Sequence, residues 1–257
     1  MRCGTALALL LVILTTSCSR KLPDGLAVMK ACEDGVLATL KDLVQDSPEW
    51  LKNTQSDPKP GPTLMHLAAL QGHAAIIDYL VQSGVRVDSP GQAGESPLIQ
   101  AAGAGRVAAV ETLLRLGDDI DREDSMRRTA LKIACANEHP GVVRALLKGK
   151  PKLNFDPSGD ASKTPLALAA AKGNVEIVKM LLDAGARPGD SDATLGPIDH
   201  AAVSNHAEIV DLLLRHGAFA RPTTIRLARQ EGHLKVAELL EREGFRRYGP
   251  QFGALIR

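Results

Sequence analysis

Aromatic residues are scarce in this sequence, since Phe, Tyr and Trp together make up 3% of its 257 residues. So low an aromatic content disfavours a stacking platform for single-stranded nucleic acid. An excess of one charge is also absent, because 31 Lys and Arg residues stand against 30 Asp and Glu residues. Without a net positive field, the chain has no general attraction for nucleic acid. The 4 cysteines are too few for a disulfide-stapled scaffold. These absences exclude classes of protein without selecting one.

Long apolar runs are absent except for one near the N-terminus. Arg2 precedes nine apolar residues, Ala6 to Leu14, a run well short of the roughly 20 residues that a membrane-spanning helix needs. A positive residue, a short apolar stretch and then small residues are typical of a secretory signal. We therefore predict a signal peptide over residues 1–17.

The residues that follow the apolar run, Thr15-Thr16-Ser17-Cys18-Ser19, resemble the lipobox of bacterial lipoproteins. The resemblance implies that Cys18 is lipidated and becomes the new N-terminus, with residues 18–25 as a membrane tether. Thr15 stands where that family has Leu, Val or Ile, and Ser19 resembles its outer-membrane sorting pattern. The chain is therefore expected in a bacterial cell envelope, on the periplasmic side, as an outer-membrane lipoprotein. A cleaved signal without lipid and a chance apolar N-terminus are the alternatives.

One segment repeats along the rest of the chain. Residues 61–73 read GPTLMHLAALQGH, and residues 94–106, at an offset of 33, read GESPLIQAAGAGR. Further copies occupy residues 127–139, 164–173 and 197–206. Each copy is followed by an apolar stretch such as IIDYLV at 76–81 or IVKMLL at 177–182. Five copies at near-constant spacing make a strong pattern.

This pattern resembles the ankyrin repeat, which reads G-x-T-P-L-H-x-A-A-x-x-G-H before an apolar second helix. The resemblance implies an all-α fold, an α-solenoid of helix pairs with short projecting finger loops. The chemistry of the residues agrees, because a Thr or Ser hydroxyl can cap the first helix and paired alanines let neighbouring helices approach closely. The capping residues are Thr63, Ser96, Thr129 and Thr164, and the glycines expected to end first helices in the left-handed conformation are Gly72, Gly105 and Gly173.

Degraded copies flank the five clear repeats, which span residues 61–220. Residues 26–60 are predicted to form an N-terminal cap, with Ala31 and Cys32 in the paired-alanine position. Residues 221–245 are predicted to form a C-terminal cap, where Arg229 replaces an alanine and suits a face that meets water. The prediction is therefore about seven helix-pair units, followed by a tail, residues 246–257, that we leave unassigned.

The histidines invite a metal-binding or catalytic interpretation, but four of them share one repeat position. Stacked copies of that position are separated by a helix layer of roughly 10 Å, too far for one metal ion. We therefore expect these side chains to bond to neighbouring loops instead. They are His73, His139, His206 and His233.

Cysteines and acidic residues likewise predict no chemistry. Cys32 and Cys135 share the paired-alanine position, so each is expected to be a small buried residue that cannot pair with the other. The acidic run from Asp118 to Asp124 lacks the spacing of a calcium loop and is expected to be solvated charge on a finger. We predict no catalytic residue, no metal site and no cofactor.

The candidate functional residues come from the expected recognition surface. The resemblance implies that partners contact the finger tips and the exposed positions of the first helices. Arg and aromatic side chains are enriched among binding hot spots. Phe155 on the fourth finger is the sharpest single candidate, with inward packing of its ring as the alternative. The predicted partner-binding residues are Arg122, Met126, Arg127, Arg128, Asn137, Phe155, Lys163, Lys172, Asp190 and Asp192.

The function expected from these features is protein binding without catalysis, by a monomer with a lipid anchor in the membrane and no nucleic-acid partner. One expectation is a scaffold that holds or protects a periplasmic enzyme. The alternative is an immunity protein that binds and blocks a toxin or effector acting in the periplasm. A secreted effector that acts on host proteins is a further alternative.

Overall fold

The computed structural model describes residues 25–46, 48, 50–51, 63–91, 93–154, 163–189, 195–219 and 221–256. These residues form helices and turns without any strand, and none of their helices has the length and apolar content to cross a membrane. Residues 1–24, with the predicted signal and Cys18, lie outside this part of the chain. The helices are α1 (Gly25–Glu33), α2 (Leu37–Asp46), α3 (Leu64–Gln71), α4 (Ala74–Gln82), α5 (Pro97–Gly103), α6 (Val107–Arg115), α7 (Ala130–Ala136), α8 (Pro140–Lys148), α9 (Pro165–Lys172), α10 (Val175–Asp183), α11 (Pro197–Val203), α12 (Ala207–Arg215), α13 (Pro222–Gln230), α14 (Leu234–Tyr248) and α15 (Phe252–Leu255).

The first fourteen helices form seven pairs, which confirms the predicted α-solenoid. Each first helix from α1 to α11 packs against the first helix of the next pair, and the second helices from α4 to α14 stack in a parallel layer. The paired small residues lie between first helices and are fully buried, as in Ala68-Ala69 and Ala134-Cys135. A single apolar core runs through all the pairs, from Val28 to Ile256.

The first helices begin where the sequence predicts. The hydroxyl groups of Thr63, Ser96, Thr129 and Thr164 each accept a hydrogen bond from the backbone N–H three residues later, at 3.2 to 3.4 Å. Each bond satisfies a backbone donor that has no partner within the helix. In the fifth repeat, where Gly196 has no hydroxyl, the carboxylate of Asp199 instead accepts from the Gly196 N–H at 2.7 Å.

The same turn ends every first helix, although only some repeats have glycine there. Gly72 and Gly173 take the left-handed conformation with φ of 89° and 84°. Glu138 and Asn205 occupy the equivalent positions and take φ of 58° and 60°. The turn is therefore imposed by the packing of the helix pair even where the residue is strained in it.

Histidine side chains join neighbouring repeats, as predicted. His73, at the start of α4, bonds through its Nε2 atom to the carbonyl oxygen of Glu33 at 2.9 Å. His139 and His206 make the equivalent bonds to the carbonyl oxygens of Gly103 and Ala171, at 3.1 and 3.2 Å. His233 reaches back to the carbonyl oxygen of Ala202 through its Nδ1 atom, at 3.1 Å. These bonds satisfy carbonyl groups at the ends of the preceding first helices.

The C-terminal residues fold onto the last helix pair. Helix α14 continues to Tyr248, three residues beyond the end predicted for the cap, and α15 then turns back. Phe252 is buried against Gly244, where a side chain would collide with its ring. Its ring stacks on Tyr248 and meets Phe245 edge-on. The segment left unassigned in the sequence therefore closes the end of the core.

Candidate protein-binding surface

One buried carboxylate shapes the third finger, which comprises residues Asp121 to Arg128. Asp124 accepts hydrogen bonds at Oδ1 from the backbone N–H groups of Met126 and Arg128, at 2.9 and 2.8 Å. Its Oδ2 atom accepts from the Arg128 Nε–H at 2.7 Å. The backbone of the finger therefore turns around the Asp124 carboxylate, which is buried from solvent.

The prediction that the acidic run is solvated is wrong for two of its members. Asp118 and Asp124 are each 5% exposed. Asp124 fills the turn of the finger, and Asp118, just after α6, accepts a hydrogen bond at 3.1 Å from the N–H of Leu98 at the start of α5. Asp124 therefore shapes the third finger, and Asp118 joins the two helices of its own pair.

A groove lies where the third finger faces helices α7 and α9. Its volume is about 510 Å³. Five of the residues predicted to bind a partner line it together, which are Met126, Arg127 and Arg128 on the finger, Asn137 after α7, and Lys163 before α9. The residues that complete the lining are Lys132, Ile133, Ala136 and Leu168.

The groove combines an apolar floor with a basic wall. Ile133, Ala136 and Leu168 are half-buried side chains of the first helices. Met126 stands above them on the finger with 69% of its surface exposed. The wall carries two arginines and two lysines, and no acidic side chain is among the described residues of the lining. Such a surface offers both apolar and charged groups for contact with a partner.

Lys132 is a wall residue that the sequence analysis missed. It is 4% exposed, and its Nζ atom donates to the carbonyl oxygen of Arg127 at 3.1 Å. It occupies the repeat position that holds His66 in the first clear copy, where the ankyrin pattern has His. The replacement of His by Lys in that position is the signal that could have identified it, because a buried ammonium group needs a specific reason to be there.

Other predicted residues lie away from the groove. Arg122 has a half-buried side chain whose Nη1 atom donates to the carbonyl oxygen of Asp88 at 2.9 Å, so it joins the second finger, residues 87–95, to the third. Lys172 is exposed at the end of α9 but does not line the groove. Phe155, Asp190 and Asp192 lie outside the described residues, as does Cys18.

The base of the second and third fingers holds two titratable groups with displaced pKa values. Burial raises the pKa of Asp118 to about 7, an effect that the Leu98 N–H and the Arg122 guanidinium partly oppose. Burial also lowers the pKa of His66 below its ordinary value. The imidazole of His66 bonds to Thr63 Oγ1 at 2.8 Å and to the carbonyl oxygen of Glu95 at 3.1 Å. His66 is therefore built into the junction between two repeats, and Asp118 into the contact between the two helices of one pair.

The cysteines of the solenoid are buried free thiols, as expected from their repeat positions. Burial raises the pKa of Cys32 to about 12, and it raises that of Cys135 as well. A thiol whose pKa is raised by apolar surroundings is a poor nucleophile. Within the described ranges, no three His, Cys, Asp or Glu side chains are grouped so that they could hold a metal ion.

Comparison with known proteins identifies several that are similar to this chain. XBAT32, an E3 ubiquitin-protein ligase of Arabidopsis thaliana, is 32% identical over 189 residues, which cover 63% of this chain and 37% of that protein. XBOS32, a probable E3 ubiquitin-protein ligase of Oryza sativa subsp. japonica, is 28% identical over 192 residues, 63% of this chain and 38% of that protein. The chain thus spans less than two fifths of the length of these relatives.

The solved structures include a similar solenoid. The human ASB11 ankyrin repeat domain superposes with a TM-score of 0.65 at 26% identity, over 76% of this chain and 86% of that one. The family model described as ankyrin repeats (3 copies) matches residues 28–124 and 116–192, and the single ankyrin repeat model matches residues 197–226. Together these matches cover well over half of the sequence. The chain belongs to the ankyrin repeat family.

Proposed function

We propose that this protein is a non-catalytic binding protein that holds a partner protein in the groove beside its third finger. The observation that carries the proposal is the lining of that groove, where a basic wall stands over an apolar floor. A helix solenoid presents a preformed surface, so little ordering entropy is lost on its side when a partner docks. A standard interface of roughly 1,600 Å² fits on four or five such repeats.

The similarity to these relatives supports a role in binding a partner protein more than it supports an enzymatic reaction. XBAT32 and XBOS32 are named as E3 ubiquitin-protein ligases, but what this chain shares with them is less than two fifths of their length. The shared part includes the repeats, whose family fold serves binding in general. We therefore propose partner binding for this chain and do not propose ubiquitin transfer.

For location and role, we propose a lipoprotein on the periplasmic side of a bacterial envelope that scaffolds or protects a partner there. The support is the order of residues at the N-terminus, with Arg2, an apolar run and then Cys18 followed by Ser19. The alternative is an immunity protein that blocks a periplasm-acting toxin, which the same anchor would place where the toxin arrives. Incorporation of a labelled fatty acid, lost on Cys18→Ser, tests the anchor separately from the partner.

The binding function is tested by crosslinking in the cells that make the protein, followed by affinity capture and mass spectrometry. The Ala136→Trp variant fills the floor of the groove, and Arg127→Glu reverses a charge on its wall. Both changes should abolish capture of the partner. Arg144→Glu is the matched control, since Arg144 lies on second helix α8, is exposed and pairs with the exposed Glu176.

The identity of the captured protein separates the two roles. A resident periplasmic enzyme supports the scaffold, and a secreted toxin supports the immunity protein. Capture that survives both groove variants, with their helix content unchanged, contradicts the assignment of the surface.

A further inference from the structure

One buried carboxylate occupies a position that other repeats fill with an apolar side chain. Asp118 follows the glycine that comes just after the second helix of its repeat. The equivalent residues of three other copies are Val85, Ala186 and Ala218, and all of them are buried. The remaining clear copy has the exposed Lys150 there. Asp118 is buried with 5% of its surface exposed, so it places an ionisable group where the repeat usually has an apolar one.

The carboxyl group of Asp118 is only partly hydrogen-bonded. Its Oδ2 atom accepts from the Leu98 N–H at 3.1 Å. Its Oδ1 atom is buried and makes no hydrogen bond within the part of the chain that the structure describes. A buried oxygen without a partner costs more when it carries charge. Burial accordingly raises the pKa of Asp118 to about 7, although the N–H groups of Leu98 and Asp119 oppose the rise.

The charged side chains that face Asp118 come from the second and third fingers. The Arg122 guanidinium lowers the pKa of Asp118, and the Asp88 carboxylate raises it. Arg122 is 27% exposed and lies with its Nη1 atom 3.8 Å from Asp88 Oδ2, while it donates to the Asp88 carbonyl oxygen. Asp88 also pairs with Arg86 at 2.9 Å. Arg122 therefore bonds to the second finger while it remains within electrostatic reach of Asp118.

His66 is another titratable group at this junction. It lies on α3 and bonds through Nε2 to the carbonyl oxygen of Glu95 on the second finger, at 3.1 Å. Burial lowers its pKa below the ordinary value of 6.5, and the Arg122 guanidinium lowers it further, while Glu95 opposes the change. His66 is therefore neutral at the pH at which Asp118 ionises, so the two groups respond to pH in separate ranges.

We propose that Asp118 and Arg122 form a proton-controlled latch between the second and third fingers. When the carboxyl group of Asp118 is protonated, Arg122 stays on the carbonyl oxygen of Asp88 and ties the two fingers together. When the carboxyl group is ionised, it draws the Arg122 guanidinium to itself, because a charge-assisted bond compensates a buried charge. The tie between the third finger and Asp88 is then released.

The latch bears on the proposed binding function, because the third finger forms one wall of the groove. That finger carries Met126, Arg127 and Arg128. When it is tied to the second finger, it presents these side chains in a fixed arrangement, so less ordering entropy is lost when a partner docks. Resting on the proposed function, the latch predicts tighter binding of the partner below a pH of about 7 than above it.

The test of the latch is a pH titration of the nitrogen-15-labelled protein followed by NMR. The backbone amide signal of Leu98 and the side-chain Nε–H signal of Arg122 report on its two ends. Both signals should shift with one midpoint at a pH of about 7, and the amide signals of residues 87–95 should shift with them. A shift confined to Leu98 overturns the proposal, because the charge on Asp118 then does not reach the second finger.

Variants identify the group that titrates. Asp118→Asn should abolish the shifts, and Asp118→Ala, which installs the residue of the fourth and fifth copies, should do the same if Asn is not tolerated. Asp119→Asn is the matched control, since Asp119 is exposed, and it should titrate as the unmodified protein does. Arg122→Gln should raise the midpoint of the Leu98 signal, because it removes a positive charge that favours the ionised carboxyl group. It should also abolish the response of residues 87–95 at that midpoint.

Two further results of the titration would overturn the latch. One is a Leu98 signal that does not change across neutral pH, which would mean that Asp118 does not ionise there. The other is a midpoint below 6.5 that survives Asp118→Asn, which would assign the response to His66.

Affinity capture from cell extracts at about pH 6 and about pH 8 tests the regulation of binding. The unmodified protein should capture more partner at the lower pH, and the difference should disappear in Asp118→Asn. Equal capture by the unmodified protein at both pH values overturns the regulation. If the NMR signals shift as expected and no partner is captured at either pH, the latch is supported and the proposed function fails.

Discussion

Replacing Asp118 by Asn is expected to change how the free energy of unfolding depends on pH. Asp118 is 5% exposed, and burial raises the pKa of its carboxyl group from the ordinary value of 3.8 to about 7. Between these two values the folded protein binds this proton more tightly than the unfolded chain does. The stability that results is fully present below the pKa of the unfolded chain and is lost as pH rises through the folded pKa.

The size of the effect follows from the difference between the two pKa values. One pKa unit corresponds to about 1.4 kcal/mol, so a rise from 3.8 to about 7 corresponds to a loss on the order of 4 kcal/mol once the folded carboxyl group ionises. Asn carries no charge at any pH, and its side-chain oxygen can still accept the bond from the Leu98 N–H. The free energy of unfolding of Asp118→Asn, minus that of the wild type, should therefore grow by about 4 kcal/mol between pH 4 and pH 8.

Urea unfolding followed by circular dichroism at a series of pH values measures this difference directly. Asp119→Asn is the matched control, because Asp119 is the next residue and is exposed to solvent. Its difference from the wild type should change little with pH. If the two Asn variants show the same pH dependence as the wild type, the carboxyl group of Asp118 ionises without a penalty and the reasoning from burial is refuted.

Three further predictions concern stability. His139→Ala should lower the free energy of unfolding by about 1 kcal/mol, since it removes a bond between repeats. His216→Ala should lower it less, because the exposed ring of His216 bonds to the Leu212 carbonyl oxygen one turn before it. Glu138→Gly should raise stability by about 0.5–1 kcal/mol because it relieves a φ of 58°, while Glu231→Gly, at a φ of −78°, should lower it. Phe252→Ala should lower the free energy of unfolding by about 3–5 kcal/mol in urea titrations, and equal stability of that variant would show that the C-terminal segment does not close the core.

Local chemistry explains why so much of the solenoid could be predicted from the sequence. A Ser or Thr at one position, a Gly some nine residues later and an apolar stretch after it each act over a single helix. Thr63 and Gly72 bound α3 for reasons that need no knowledge of the rest of the fold. Because the unit recurs, the predicted start and end of a helix in one copy support those in the next copy. Helix pairs of the same shape then stack on one another.

The groove was predicted only in part, because its walls depend on turn geometry. Met126, Arg127 and Arg128 were placed on a finger by repeat position, and the structure brings them together over α7. The burial of Asp124 could not be read from a run of acidic residues, since which carboxylate turns inward depends on the backbone N–H groups that the finger presents to it. The role of Phe252 was missed for a related reason, because the segment that carries it has no repeat pattern.

The third repeat departs from the ankyrin pattern at the position where that pattern has His. The equivalent position holds His66 in the first clear copy, where it bonds to the carbonyl oxygen of Glu95 on the second finger. In the fifth copy it holds Asp199, which pairs with Arg221 at 2.6 Å and so ties the C-terminal cap to the solenoid. In the third copy it holds Lys132, which bonds to the carbonyl oxygen of Arg127 and adds a charge beneath the finger. The same repeat position therefore serves different purposes in different copies. His66 bonds to a finger, Asp199 ties the C-terminal cap to the solenoid, and Lys132 places a charged side chain beneath the third finger. Because the first and fifth copies hold His66 and Asp199 where the third holds Lys132, this position distinguishes the third repeat from those two.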